Sequence, residues 1–118
     1  MSDALANLVL GRLPIVGLAA YSISLPDRLL VTQCLSKSLN ASATEQMLDG
    51  VVRSGRTLLP IDQAAARYCW TFESLRIYVT ARPDGICLAL MVGNQPGIQM
   101  VRIQEMMQDF AQLPADQN

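Results

Sequence analysis

The 118-residue chain contains no histidine, and a single lysine, Lys37, stands against eight arginines. Lack of histidine removes the usual general base, the commonest metal ligand and the standard partner of a serine or cysteine nucleophile. Aromatic residues are only 5% of the chain and the formal net charge is −1. No long basic run interleaved with aromatics occurs, so nucleic acid is not an expected partner. No apolar run approaches the roughly 18 residues that span a bilayer. The start, Met1 to Leu13, is interrupted by Asp3, Asn7 and Arg12 and lacks the basic leader and continuous apolar stretch of a signal peptide. A cytoplasmic location without a membrane span is therefore expected.

Phosphate-binding signatures are missing too. There is neither a glycine loop ending in Lys-Ser or Lys-Thr nor a spaced set of dinucleotide-binding glycines, and Gly50, Gly55, Gly93 and Gly97 read as packing or turn glycines. Cys34, Cys69 and Cys87 form an odd set without close spacing, which reads as buried reduced thiols within strands. Cys69 lies two residues from Arg67, but a small strand residue facing the interior outweighs an activated thiolate. Asp27 and Asp84 fall in turns and Glu45 near a helix start, so no carboxylate pair is placed for acid and base work. No catalytic residue, metal ligand or cofactor is assigned, and the chain is expected not to be an enzyme.

What the chain does have is apolar residues, 51% of the total, with a mean hydropathy of +0.26. A domain of this size buries about two thirds of the surface its unfolded chain exposes. The apolar surplus beyond that is assigned to a partner surface.

The pattern along the chain predicts eight elements. Ser2 caps a first helix carrying Leu5, Leu8, Val9 and Leu13 on one side, ended by Pro14. Ile15 to Ser24 and Arg28 to Leu35 form a hairpin around Leu25-Pro26-Asp27. Ser42 and Glu45 stand three apart as a capping box, which starts a second helix near Ala43. In that helix Met47, Leu48, Val51, Val52, Gly55, Leu58 and Leu59 cover an arc of about 140 degrees, wider than the ~100 degrees one packed face needs. Pro60 closes it, and residues 61–67 connect.

Tyr68 to Glu73 then alternates Tyr68, Trp70 and Phe72 with Cys69 and Thr71. Leu75 to Arg82 sets a dry side of Leu75, Ile77, Val79 and Ala81 against a wetter side of Arg76, Tyr78, Thr80 and Arg82. After the turn at Pro83-Asp84-Gly85, the unbroken apolar run from Ile86 to Val92 suits a central strand covered on both faces. Asn94 is the expected cap of a last helix whose dry side is Met100, Ile103, Met106, Met107, Phe110 and Leu113. The methionines in it read as core under the sheet rather than as a docking groove. One domain over residues 1–113 is expected, with 114–118 a frayed tail. The whole reads as a small α+β domain, a sheet built from antiparallel hairpins and covered by helices.

This order, with Leu13-Pro14-Ile15-Val16-Gly17-Leu18 before the first strand, Pro26-Asp27-Arg28 at the first turn and Asn94 to Arg102 opening the last helix, resembles the Roadblock family, also called the roadblock-type dynein light chains. The family usually carries Asp-Gly at its first turn, where this chain has Asp27-Arg28, and a profilin-like or longin-type domain gives much of the same pattern. The resemblance implies a three-layer α-β-α sandwich with a five-stranded antiparallel sheet of order 2-1-5-4-3, the second helix on one face and the outer two on the other. It further implies a dimer formed through the second helix and third strand, by itself or with a similar chain. Met47, Leu48, Val51, Val52, Gly55, Leu59, Tyr68, Trp70 and Phe72 would lie in that interface. Non-catalytic regulation or scaffolding of a small Ras-like GTPase is the implied role, with Arg53 and Arg56 as candidate partner contacts. The alternative of another class is a small-ligand sensor of profilin-like architecture.

Overall fold

The structure is a computed structural model and describes residues 2–58 and 66–113. Among these run three helices and five strands, in the order α1 (Ser2–Leu10), β1 (Leu18–Ser24), β2 (Leu29–Cys34), α2 (Ala41–Leu58), β3 (Ala66–Thr71), β4 (Leu75–Ala81), β5 (Cys87–Gly93) and α3 (Met100–Gln112). The strands form one antiparallel sheet of order β2-β1-β5-β4-β3. α2 covers one face, while α1 and α3 cover the other. The architecture implied by the resemblance is thus the one observed. The connector 59–65, including Leu59 and Pro60, and the tail 114–118 lie outside the described residues.

Strand alternation decides the two cores. On the α1 and α3 side, Leu18, Tyr21 and Ile23 of β1 and Leu88, Leu90 and Val92 of β5 meet Leu5, Val9, Ile103, Met106, Met107 and Phe110 in one buried cluster. On the α2 side, β1 and β5 present smaller side chains, Ala20, Ser22, Ser24, Cys87 and Ala89. There Leu48, Val51 and Val52 pack with Ile77, Val79 and Met91. Each fully buried large apolar side chain contributes about 1.5–3 kcal/mol relative to exposure. β5 is buried on both faces, which explains its unbroken apolar run.

The two segments that carried the family resemblance at the ends of the chain dock on one another. The Gln99 amide donates to the Val16 carbonyl at 3.0 Å, and the Val16 amide donates to Gln99 Oε1 at 2.9 Å. Gly17 has φ +97°, and a β-carbon there would lie 2.7 Å from the Ile98 side chain. Both the backbone conformation and the space require glycine.

Several expectations are corrected. α2 starts at Ala41, and its amides are capped by Asn40, whose Oδ1 accepts from the Ala43 amide at 2.9 Å. Ser42 and Glu45 are exposed helix residues and form no capping box at that start. α3 starts at Met100, six residues after Asn94. Asn94 instead donates from Nδ2 to the Glu73 carbonyl at 3.3 Å, tying the loop to the β3–β4 turn. β1 begins at Leu18 rather than Ile15, because Val16 and Gly17 are engaged by the loop before α3. β3 ends at Thr71, since Phe72 already closes the hairpin by donating to Leu75 at 2.8 Å.

The side of β4 read as wetter is wet only at Arg76. Thr80 is fully buried, Tyr78 is half-buried against the α3 cluster, and Arg82 is 5% exposed. Arg82 is paired there with Asp84 at 3.1 Å and donates to the Phe110 carbonyl, with its guanidinium 5.7 Å from the Phe110 ring. Of the three cysteines only Cys87 is buried; Cys34 is half-buried and Cys69 exposed. Both lie on the edge strands, which the helices do not fully cover.

Candidate functional site

Among the described residues β3 has a sheet neighbour on one side only, β4. The Phe72 to Leu75 bond fixes the alternation of the ladder, so that Tyr68 and Trp70 turn their backbone groups toward β4. The N–H and C=O groups of Arg67, Cys69 and Thr71 therefore point outward along the free edge. The strand between Ala66 and Thr71 pairs with β4 without a register shift and contains no proline or lysine. Such an edge is a template for another strand.

Side chains divide by the same alternation. Tyr68 and Trp70 lie on the α2 side and pack partly buried against the Leu48, Val51 and Val52 cluster. Arg67, Cys69 and Thr71 are exposed on the opposite side. Phe72 after β3 is 38% exposed, and Met47 on α2 is 41% exposed.

Tyr68 runs under α2 so closely that its hydroxyl takes the place of a side chain at Gly55. The hydroxyl is buried and has no hydrogen-bond partner among the described residues. Burial pushes its pKa up to about 12; the Cys87 thiol adds to this, and the Arg56 guanidinium opposes it. Cys87 is likewise raised, first by burial, with Arg56 opposing.

The residues named from the resemblance are thus sorted by the fold. Leu48 and Val52 are fully buried and Val51 nearly so, all inside the chain's own core, and Gly55 is buried against Tyr68. Met47, Trp70 and Phe72 retain accessible surface. Leu59 falls outside the described residues. Among the described residues of the α2 arc, Leu48, Val51 and Val52 pack onto the sheet with the small Ala20, Cys87 and Ala89 of β1 and β5 in the same cluster, and Gly55 packs on Tyr68.

The two arginines differ. Arg53 has a side chain 77% exposed and pairs with Asp49 one turn earlier at 2.9 Å. Arg56 turns inward: its Nη2 donates to the Leu25 carbonyl at 2.9 Å and the Gly85 carbonyl at 3.1 Å, and lies 3.7 Å from Cys87 Sγ. It clamps the β1–β2 turn to the β4–β5 turn.

One feature left little trace in the sequence. Across the exposed side of β3 from α3 lies an open groove of about 600 Å³ lined by Arg67, Cys69, Tyr78, Val101, Gln104 and Gln108, among others. Val101, 69% exposed, lies off the dry stripe of its helix, and that was the signal available. Among the described residues no group of three or more histidine, cysteine or acidic side chains is placed to hold a metal ion. No helix among them is long and apolar enough to cross a membrane.

At the level of sequence, no family model and no curated protein matches the chain. Solved structures do. One of MglB with a tetrameric arrangement aligns with TM-score 0.58 at 9% identity, covering 93% of this chain and 84% of that one. The gliding protein MglB from Thermus thermophilus aligns with TM-score 0.55 at 10% identity, covering 92% and 87%. Myxococcus xanthus MglB gives 0.48 at 12% identity, covering 92% and 90%. MglB is a roadblock-type protein, and the strand order and helix placement of this chain are those of that type. The chain has the roadblock-type fold that its sequence resembles.

Proposed function

We propose that this chain is a non-catalytic regulatory or scaffold subunit that associates with itself, or with a similar chain, through β3 and the neighbouring part of α2, and binds a small Ras-like GTPase. The observation that carries the self-association is the free edge of β3, with exposed Phe72 and half-buried Trp70 on the side where α2 exposes Met47. The roadblock-type fold shared with the MglB structures supports the regulatory reading. Absence of histidine from the sequence supports a role without catalysis. Among the described residues helices pack both sheet faces, which fills the space over the sheet that the ligand-sensor alternative would use.

Sedimentation equilibrium of the purified chain tests this, alone and with Ras-like GTPases of its own organism loaded with either nucleotide. A dimer that prefers one nucleotide state is expected. A monomer that ignores every GTPase would overturn the proposal.

A further inference from the structure

We propose that α2 is built to open in two parts: the stretch from Arg53 onward lifts off the sheet while Leu48, Val51 and Val52 stay seated, and the lifting gives water to a strip of dry hydroxyls beneath it.

The sheet face under α2 is laid out in cross-strand rows, since residues opposite one another in antiparallel strands share a face. Ala20, Met91, Ile77 and Trp70 stand opposite one another in the first row. All four are apolar and join Leu48, Val51 and Val52 in one cluster. The second row runs Thr32, Ser22, Ala89, Val79 and Tyr68. A third carries Ser24, Cys87 and Ala81. In these two rows Thr32 Oγ1, Ser22 Oγ, Ser24 Oγ and Tyr68 Oη are buried and have no hydrogen-bond partner among the described residues. The first row holds no such group, so the helix has a dry apolar seat at one end and a hydroxyl-lined seat at the other.

Two contacts tie the later part of α2 to the hydroxyl-lined rows. Gly55 rests on the Tyr68 hydroxyl, and Arg56 Nη2 lies 3.7 Å from Cys87 Sγ. A buried hydroxyl without a partner has given up its bonds to water and regains them when its cover lifts, so lifting is favoured there. The Arg56 bonds to the Leu25 and Gly85 carbonyls oppose it and act as the latch. Lifting the earlier part would only expose apolar surface. Because Tyr68 belongs to β3, the motion also unseats the side chain that fixes this edge strand beneath the helix. Partial openings of this kind are resolved by hydrogen exchange.

Residue-resolved amide exchange of the native chain and of Ser22→Ala, Thr32→Val and Tyr68→Phe variants tests the proposal. Thr80→Val is the control, because the buried unpartnered hydroxyl of Thr80 lies opposite Leu88 on the α3 side of the sheet. Native amides from Arg53 to Arg56 should exchange faster than those of Leu48, Val51 and Val52. Each of the three variants should slow the faster set by about fivefold or more, the effect of removing one dry hydroxyl. Thr80→Val should slow only the slower set. Maleimide labelling of Cys87, in a Cys34→Ser and Cys69→Ser background, should slow in the same three variants and not in the control. Equal native rates across α2 would show that no partial opening exists. A fast set that the variants leave unchanged would be a frayed helix end over covered hydroxyls, and faster exchange in the variants would mean the hydroxyls are bonded; any of these results overturns the proposal.

Discussion

The hydroxyl oxygen of Tyr68 occupies the space of the missing side chain at Gly55: a β-carbon built on that glycine would lie 1.8 Å from the oxygen and 2.1 Å from the ring carbon that bears it. A glycine inside a helix costs about 1 kcal/mol relative to alanine, and here that cost is offset by seating an edge-strand aromatic beneath the helix.

Gly55→Ala should accordingly destabilise, against its intrinsic helix-stabilising tendency. Overpacking of this kind costs about 1–3 kcal/mol. Tyr68→Ala on top of Gly55→Ala should recover some of the loss, giving a non-additive cycle. Urea unfolding midpoints of the two single variants and the double variant measure it; strict additivity would show that the contact is not energetic.

Raising the pH should act through the same tyrosine. Its ordinary pKa is 10.0 and the folded value is raised to about 12, so between those values the unfolded chain has lost a proton that the folded chain keeps. Stability from the buried neutral phenol is then fully present below pH 10 and lost as pH rises toward about 12. Tyr68→Phe removes the hydroxyl without losing a hydrogen bond among the described residues, and its stability should fall less steeply over that window. Urea midpoints at stepped pH compare the two.

Substitutions on α2 and β3 should separate folding from association. Leu48 is fully buried, and Leu48→Ala should cost about 2–5 kcal/mol; Val52→Glu should unfold the chain rather than merely dissociate a dimer, since it places an unpaired charge in the core. Phe72→Ser, at an exposed site, should leave the thermal midpoint nearly unchanged while weakening self-association. Calorimetry and sedimentation on the same samples distinguish the two outcomes.

Arg56→Gln should destabilise by about 1.5–3 kcal/mol, the range for hydrogen bonds to a charged group, because the Leu25 and Gly85 carbonyls lose their donor. Arg56→Lys should restore only part of it: both carbonyls are bound by the single Nη2, but an ammonium lacks the second nitrogen that reaches the Pro26 carbonyl at 3.4 Å and the planar group that holds Nη2 in place. Arg53→Gln should cost no more than the ~0.5 kcal/mol of an exposed pair one turn apart. Thermal melts of the three variants check the order.

Thiol labelling should follow exposure: Cys69 first, then Cys34, with Cys87 last and only as the chain opens. Burial raises the Cys87 pKa, which lowers its thiolate fraction and slows it further. Mass spectrometry of peptides after timed maleimide treatment gives the order directly.

The sequence by itself determined the eight elements, because the helical and strand periods of Leu48, Val51 and Val52 or of Ile77 and Val79 are local and record which side of an element is dry. It also determined the central place of β5, whose apolar run from Cys87 to Val92 admits no wet face. Which apolar side chains stay inside one chain was not legible there, since Leu48 and Met47 are equally apolar and adjacent, and only the position of α2 over the small residues of β1 and β5 buries the first and exposes the second. The tertiary structure alone decided the roles of Arg56, Arg82 and Asn94: each satisfies carbonyls far away in sequence, and hydrogen bonds between distant segments leave no periodic trace in the chain.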